Sequence, residues 1–156
     1  MNEEAWMRQA IALSRQAITA GQGGPFGAVI VRHGQVVAGG NNQVLATLDP
    51  TAHAEVTAIR QACQVLHRYD LSDCVIFTSC EPCPMCLGAI YWARLSAIYY
   101  ANTRADAAQI GFDDDFFYEE LARPLTARKV PMIPFLRDEA QAVFHEFLAD
   151  PNRRVY

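Results

Sequence analysis

The spacing of apolar residues near the start of the chain predicts an amphipathic helix that ends at Gly21. Small and apolar residues recur there at steps of three and four, which places their side chains on one helix face. The residues with this spacing are Met7, Ala10, Ile11, Ser14, Ala17 and Ile18. Two β-rich runs follow at 27–31 and 35–39, and the short gap between them contains a glycine. This arrangement predicts a β-hairpin.

Helices and strands alternate along the rest of the chain. Asp49-Pro50 predicts the start of a second helix that runs to about Leu66, because Asp is a favourable N-cap and Pro fits the first helical position. The further predicted elements are a strand at 74–78, a helix from about 82 to 94, a strand at 95–101, an acidic helix at about 113–121, a short fifth strand at 132–136 and a final helix at 138–148. We therefore expect a single domain over 1–156 with a three-layer α/β/α fold and a mixed five-stranded sheet.

Composition restricts the classes of protein to consider. The chain has 156 residues, of which 51% are hydrophobic and 19% charged, so it can bury a sizeable core and is not intrinsically disordered. The low charged fraction suggests additional buried surface, as in an oligomer. The net charge is −4 and the pI about 5.5, without the basic balance typical of a nucleic-acid binder. We therefore expect no nucleic-acid partner.

Location follows from hydropathy and cysteine content. No apolar stretch approaches the roughly 18 residues of a membrane span, so we expect no membrane association. The acidic start lacks the basic and apolar regions of a signal peptide. Five cysteines are an odd number for a disulfide framework, which favours reduced thiols in a cytoplasmic protein.

Two short motifs indicate a metal centre. Cys83 and Cys86 are three positions apart at a predicted helix start, so their thiols share one face, and a helix N-terminus favours thiolates. His53 lies in the first turn of another predicted helix. Two cysteines and one histidine suit Zn²⁺ and leave a fourth position for water, as in catalytic zinc sites. Glu55 is then the candidate proton carrier.

Two points about this centre stay open on the residues alone. Positions two apart on a regular helix diverge by about 200°, so His53 and Glu55 both face the metal only if His53 lies in an irregular cap turn. Cys80, Cys83 and Cys86 also form a Cys-x-x-Cys-x-x-Cys pattern. That pattern is compatible with a closed four-ligand zinc site or an iron–sulfur cluster, in a module without turnover. No fourth cysteine follows at ferredoxin spacing, so we expect Cys80 to be a buried thiol at a strand end.

The combination of His53-x-Glu55 with Pro82-Cys83-x-x-Cys86 resembles the signature of zinc-dependent nucleobase and nucleoside deaminases, in which the glutamate is a general acid/base and not a ligand. Longer segments resemble the small bacterial guanine deaminases within that superfamily. These segments are 23–28, 49–55, 79–93, 111–114 and the terminal tyrosine. The resemblance covers nearly the whole chain. It implies a cytidine-deaminase-like fold and the hydrolysis of guanine to xanthine and ammonia.

The resemblance also implies roles for individual residues. Zinc is bound by His53, Cys83 and Cys86, with Glu55 as proton carrier. The purine is contacted by Phe26, Asn42, Ala54, Trp92, Asp114 and Tyr156. Asp114 also relays a proton to the departing amine, although Glu119 in the same acidic segment is a second candidate for that task. The enzyme is expected to be a homodimer that exchanges a C-terminal segment of about 137–156, so that Tyr156 enters the partner's site.

Other interpretations of these residues remain. Asn42 can belong to a simple turn, Phe26, Phe112 and Trp92 to the core, and Asp114 to a solvated helix start. The C-terminal tail would ordinarily be frayed. Among enzymes, the alternatives are a tRNA adenosine deaminase and a cytosine or cytidine deaminase. The acidic balance disfavours the tRNA alternative.

Overall fold

The computed structural model describes residues 2–156, which divide into two compact units at Tyr118 and Glu119. The first unit contains a hairpin followed by alternating helices and strands. Along the whole chain the elements are α1 (Glu3–Thr19), β1 (Gly27–Arg32), β2 (Gln35–Asn41), α2 (Val44–Thr47), α3 (Ala54–Leu66), β3 (Cys74–Cys80), α4 (Pro84–Trp92), β4 (Ala97–Asn102), α5 (Arg104–Gln109), α6 (Asp114–Ala122), a 3₁₀ turn (Leu125–Ala127) and α7 (Arg137–Ala149).

The sheet of the first unit is mixed, as predicted. Its order is β2-β1-β3-β4, with β1 antiparallel to both β2 and β3 and with β3 parallel to β4. The parallel pair is joined through α4, the usual crossover for parallel strands. The register of this pair extends to Cys80 opposite Asn102, so the chain leaves β3 at a fixed place beside the end of β4.

Helices cover both faces of the sheet, which confirms the three-layer arrangement. Side chains alternate along a strand, so β1 sends Ala28 and Ile30 to one face and Val29 and Val31 to the other. The first face packs against α3 and α4, and the second packs against α1. Both faces are therefore apolar, as expected for a central strand buried on two sides.

The prediction of a fifth strand was wrong. In the part of the chain that the structure describes, the sheet has four strands, and 131–136 has no regular secondary structure. Pro131 precedes the apolar residues of this segment and Pro134 interrupts them, and a proline has no N–H to donate to a neighbouring strand. The apolar run alone does not supply a pairing partner. Ile133 and Phe135 are 81% and 82% exposed.

The predicted helix start at Asp49 was also wrong. Asp49 Oδ1 accepts hydrogen bonds from the backbone N–H and the hydroxyl of Thr51, so it closes a turn instead of capping a helix. The helix proper, α3, begins after His53. Helices α1, α4, α6 and α7 lie where the sequence predicts them, within a few residues.

In the second unit, from Glu119 to the terminal tyrosine, Glu120 joins α6 to the residues that follow the 3₁₀ turn. Glu120 accepts a hydrogen bond from the Lys129 backbone N–H at 2.7 Å, and its carbonyl accepts one from Arg128 Nε at 3.1 Å. Helix α7 has an exposed apolar face formed by Val143, Phe144, Phe147 and Leu148.

No helix within 2–156 combines the length and hydropathy that a membrane crossing requires.

Candidate metal centre and catalytic cavity

His53 occupies the N-cap of α3, outside the regular helix. Its backbone is extended, with φ −71° and ψ 157°, while Glu55 is the second residue of the helix. The angular divergence expected for two residues on one helix therefore does not apply. This cap confirms the irregular turn that the His53-x-Glu55 spacing requires.

Cys83 occupies the equivalent N-cap position of α4. Its backbone is extended, with φ −66° and ψ 168°, and the Cys86 N–H donates a hydrogen bond to its sulfur at 3.5 Å. Pro84 at the first helical position suits this geometry. Two helix N-termini thus converge, one bearing the histidine and the other bearing both cysteines.

The three side chains form a cluster with the dimensions of a tetrahedral site. His53 Nδ1 lies 3.5 Å from the sulfur of Cys83 and 3.5 Å from that of Cys86. Ordinary Zn–N and Zn–S bond lengths in a tetrahedron separate nitrogen from sulfur by about 3.6 Å. Among the described residues this is the one group of three or more metal-binding side chains with its ligand atoms within 4.8 Å of one another. The donor set and its spacing fit Zn²⁺.

The charge state of the cluster also favours a cation. A hydrogen bond from the Cys86 thiol lowers the pKa of Cys83 to about 4, so Cys83 is a thiolate at neutral pH. The same hydrogen bond raises the pKa of Cys86, which keeps its proton beside that thiolate. The hydrogen bond between His53 and Cys83 raises the pKa of His53. A metal ion that binds both thiolates therefore displaces protons from the cluster.

Cys80 lies outside the cluster. It is the last residue of β3, it is 3% exposed, and its sulfur lies 3.6 Å from the carbonyl oxygen of Thr103. Burial raises the pKa of Cys80 to about 12, so it remains a thiol. The geometry supports a buried thiol at a strand end and gives no support to the closed four-ligand site.

Glu55 is buried beside the cluster without belonging to its ligand set. Its side chain has two neighbours: Thr78 Oγ1 lies 3.1 Å from one carboxyl oxygen and Cys86 Sγ lies 3.3 Å from the other. The residue is 5% exposed, and burial raises its pKa above the ordinary value. A carboxyl group with a raised pKa can both accept and return a proton near neutral pH.

A cavity of about 260 Å³ opens onto this centre. Its walls include six residues expected at the site from sequence: Phe26, Asn42, His53, Glu55, Cys83 and Asp114. Glu81, Val44, Leu45 and Pro50 also line it, and sequence reasoning missed them. Glu81 directly precedes Pro82-Cys83, which was the available signal, whereas the three apolar residues carried none.

Asn42 and Phe26 are held by neighbouring backbone and aromatic groups. The Asn42 side-chain oxygen accepts a hydrogen bond from the Val44 N–H at 3.0 Å, which orients the amide. The Phe26 ring contacts Phe112 edge-on, at 5.0 Å between centroids. Gly23 leaves room for the Asn42 amide, since a Cβ there would lie 2.0 Å from Asn42 Oδ1. Both predicted residues therefore have fixed positions in the cavity wall.

The three consecutive acids at the start of α6 have different surroundings. Asp113 caps the helix by accepting a hydrogen bond from the Phe116 N–H at 3.4 Å. Asp115 forms an ion pair with Arg104 at 3.2 Å. Asp114 lines the cavity, and burial raises its pKa. Of these three, Asp114 is the acid directed at the site.

Apart from Cys86, which belongs to the metal-binding cluster, four predicted residues are not among those that line the cavity. Ala54 is fully buried as the first residue of α3, and Trp92 is 69% exposed at the end of α4. Glu119 and Tyr156 belong to the second unit, where Tyr156 is 68% exposed. Their roles at the site stay predictions.

Comparison with known proteins agrees with this geometry. Residues 1–102 match the family described as the cytidine and deoxycytidylate deaminase zinc-binding region. The guanine deaminase of Bacillus subtilis is 50% identical over the full length of both chains. Its solved structure superposes with a TM-score of 0.96, covering 100% of this chain and 99% of that one.

Two further relatives define the breadth of the family. A solved guanine deaminase from Nitrosomonas europaea is 34% identical, with a TM-score of 0.69, and covers 94% of this chain and 85% of its own. A tRNA-specific adenosine deaminase of Aquifex aeolicus is 34% identical over 101 residues, which are 65% of this chain and 66% of that protein. The guanine deaminases match over more of the chain than the tRNA enzyme does. The converging helix caps, the His/Cys/Cys cluster and the full-length similarity together establish that the chain belongs to the cytidine and deoxycytidylate deaminase family, as a relative of the bacterial guanine deaminases.

Proposed function

We propose that this protein hydrolyses guanine to xanthine and ammonia with one zinc ion bound by His53, Cys83 and Cys86. The observation that carries the proposal is one cavity lined by His53 and Cys83 of the metal-binding cluster, the buried Glu55 carboxyl and the polar groups of Asn42 and Asp114. Full-length identity of 50% to a guanine deaminase supports the choice of guanine.

Glu55 is the proton carrier in this proposal. When bound, zinc supplies a Lewis acid that makes water nucleophilic near neutral pH. Glu55 takes a proton from the attacking water and delivers it to a ring nitrogen of guanine. It then takes the remaining proton from the oxygen now bonded to the amine-bearing carbon and delivers it to the amine. The carbon–nitrogen bond breaks as the carbonyl forms, so that guanine and water become xanthine and ammonia. The raised pKa of its buried carboxyl suits a group that both accepts and donates.

The rest of the cavity recognises the purine. Phe26 offers an apolar surface to the flat ring, and its edge-on contact with Phe112 restricts its motion. The amide of Asn42 and the carboxyl of Asp114 supply the polar groups that a purine edge requires. Asp114 is our choice for the second proton carrier, because it lines the cavity together with Glu55 and Cys83.

We also propose that the active form is a homodimer that exchanges residues 137–156 and places Tyr156 in the partner's cavity. Support comes from α7, whose exposed apolar residues include Phe144, at 71%, and Leu148, at 61%. Large contiguous apolar surfaces of this kind are typical of association sites.

The five cysteines, all unpaired in the described chain, support a reducing, cytoplasmic location.

Metal analysis combined with an ammonia-release assay tests the enzymatic proposal. We expect about one zinc per chain, and release from guanine far above that from adenine, cytosine or their nucleosides. A site built around polar groups can reject the wrong ligand by roughly 10⁴–10⁵-fold, because its own groups are then left unpaired. Comparable kcat/KM for cytosine, or for adenosine in RNA, would refute the substrate assignment.

Deletion of residues 152–156 tests the shared site. We expect a folded, zinc-loaded protein with strongly reduced activity, since stacking on an aromatic ring is worth about 1–3 kcal/mol per base. Under conditions of subunit exchange, mixing it with a full-length Glu55→Gln chain should restore activity, because one site then has both Glu55 and a tail. Full activity of the deleted chain alone, or no recovery on mixing, would contradict the exchange.

A further inference from the structure

We propose that Arg104 and Tyr118 are positioning residues that fix α6 against the loop presenting Cys83, and so hold the Asp114 carboxyl at the cavity. Neither residue lines the cavity. Both lie in the first unit, and their contacts join two pieces of chain that are distant in sequence. The expected effect on turnover rests on the proposed function, whereas the expected effect on the position of α6 rests on the contacts alone.

Tyr118 joins α6 directly to the ligand loop. Its hydroxyl donates a hydrogen bond to the carbonyl oxygen of Pro82 at 2.8 Å. Pro82 is buried and immediately precedes Cys83, the N-cap ligand of α4. The other side of this loop is fixed to the sheet, because the Glu81 N–H donates to the Asn102 carbonyl at 2.8 Å. Tyr118 therefore contacts a loop whose position is already set.

Arg104 contacts both pieces at once. Its guanidinium carbon lies 4.5 Å from the centre of the Tyr118 ring, within the range of a cation–π interaction. Its Nε lies 3.2 Å from an Asp115 carboxyl oxygen on α6 and 3.6 Å from a Glu81 carboxyl oxygen on the ligand loop. Arg104 begins α5, whose start is itself fixed by a capping box between Thr103 and Asp106. One cation thus bridges the loop and the helix from a rigid support.

Helix geometry transmits this attachment to Asp114. Residues 114 and 118 are four apart, so they lie on the same helix face one turn from each other. The face that Tyr118 attaches to the loop is consequently the face that directs Asp114 at the cavity. None of the residues of α6, all of which are described, is fully buried. The contacts of Tyr118 and Arg104 attach this partly exposed helix to the ligand loop.

A double-mutant cycle tests whether the pair acts through Asp114. We expect Tyr118→Phe and Arg104→Met each to lower kcat roughly 10- to 100-fold with little change in zinc content, because a shift of about 1 Å can cost 10²-fold in rate. Arg104→Lys keeps the charge and should recover part of the loss. In an Asp114→Asn background the same substitutions should change kcat less than about twofold. Tyr100→Phe, which removes a hydroxyl from an exposed position on β4, is the matched control.

Hydrogen exchange provides a readout that does not require turnover. Tyr118→Phe should raise exchange across 112–118 and leave α1 and α3 unchanged, since loss of local contacts lowers local opening free energy. Unchanged exchange at 112–118, zinc loss, or equal kcat effects with and without the Asp114 carboxyl would overturn the positioning role. If the wild-type protein releases no ammonia from guanine, the proposed function fails, and the exchange result still decides the structural claim.

Discussion

Replacing Glu55 by glutamine separates proton transfer from metal binding at this site. The substitution keeps the size of the side chain and removes its ability to carry a proton. Glu55 is 5% exposed, with neighbours at 3.1 and 3.3 Å from its two oxygens, so the amide has a defined cavity to occupy. The metal-binding cluster does not include Glu55. We therefore expect Glu55→Gln to bind about one zinc per chain and to lose turnover.

The magnitude follows from general acid–base catalysis. Such proton transfer contributes about 10²–10⁴-fold, and each tenfold in rate corresponds to about 1.4 kcal/mol of barrier. The expected loss in kcat is therefore at least 10²-fold, or about 3–5 kcal/mol. Stability should move the other way. In the zinc-free protein, burial raises the folded-state pKa of Glu55 above 4.5, so its ionisation costs stability as the pH rises above that value. Glutamine removes this cost, and the unfolding temperature of the zinc-free protein at pH 7 should stay level or rise.

Three measurements decide the outcome: steady-state ammonia release, zinc per chain by elemental analysis, and thermal unfolding. Glu4→Gln makes the same chemical change at an exposed position of α1 and should leave all three unchanged. Loss of zinc from a folded Glu55→Gln protein would make Glu55 a ligand instead of a proton carrier. Retention of more than a tenth of wild-type kcat would exclude it as the main proton carrier.

Three further predictions concern other parts of the chain. Cys80→Ser should keep its zinc and its activity, since this sulfur lies outside the cluster; elemental analysis showing metal loss would support a fourth ligand. Ile76→Ala, in the fully buried centre of β3, should cost about 2–5 kcal/mol and lower Tm by roughly 4–20 °C, whereas Val65→Ala at an exposed site should shift it little. Hydrogen bonds from Arg32 and Arg68 hold the pKa of Asp73 well below its usual 3.8, so this carboxylate stabilises the fold above pH 3.8 and its contribution is lost as the pH falls below that value. Asp73→Asn should thus lower Tm at pH 7 by an amount that shrinks on acidification, and a constant difference would contradict the pairing.

The metal ligands were predictable from sequence because their signals are local. Two cysteines three positions apart, with Pro84 at the helix start, place both thiols on one face of the helix N-terminus. His53 and Glu55 can face the same site because His53 occupies the N-cap, outside the regular helix. The fifth strand was not predictable from its apolar run, because a strand also needs a partner with free backbone groups. Pro131 and Pro134 remove two of the donors that such pairing would use.

The acidic segment 113–115 shows what a local sequence pattern cannot predict, namely which of several neighbouring carboxyl groups faces the cavity. Without the family resemblance, which selects Asp114, the sequence places Asp113, Asp114 and Asp115 side by side with no local means of ranking them. In the structure the first caps α6, the third pairs with Arg104, and the one between them lines the cavity. The cap formed by Asp113 is a local contact, whereas the surroundings of Asp114 and Asp115 depend on groups that the fold brings close. For Asp115 that group is Arg104, on another helix.

Sequence alone therefore determined the elements set by short-range periodicity and capping, the choice of His53, Cys83 and Cys86 as candidate ligands, and the class of reaction. Only the tertiary structure decided that Cys80 stays outside the cluster, that Glu81 and Leu45 line the cavity, and that α6 is joined to the ligand loop by Tyr118. The physical reason is the range of the interactions. Caps and side-chain periodicity act within a few residues, whereas burial, desolvation and the distances between distant side chains exist only once the sheet and its helices have packed.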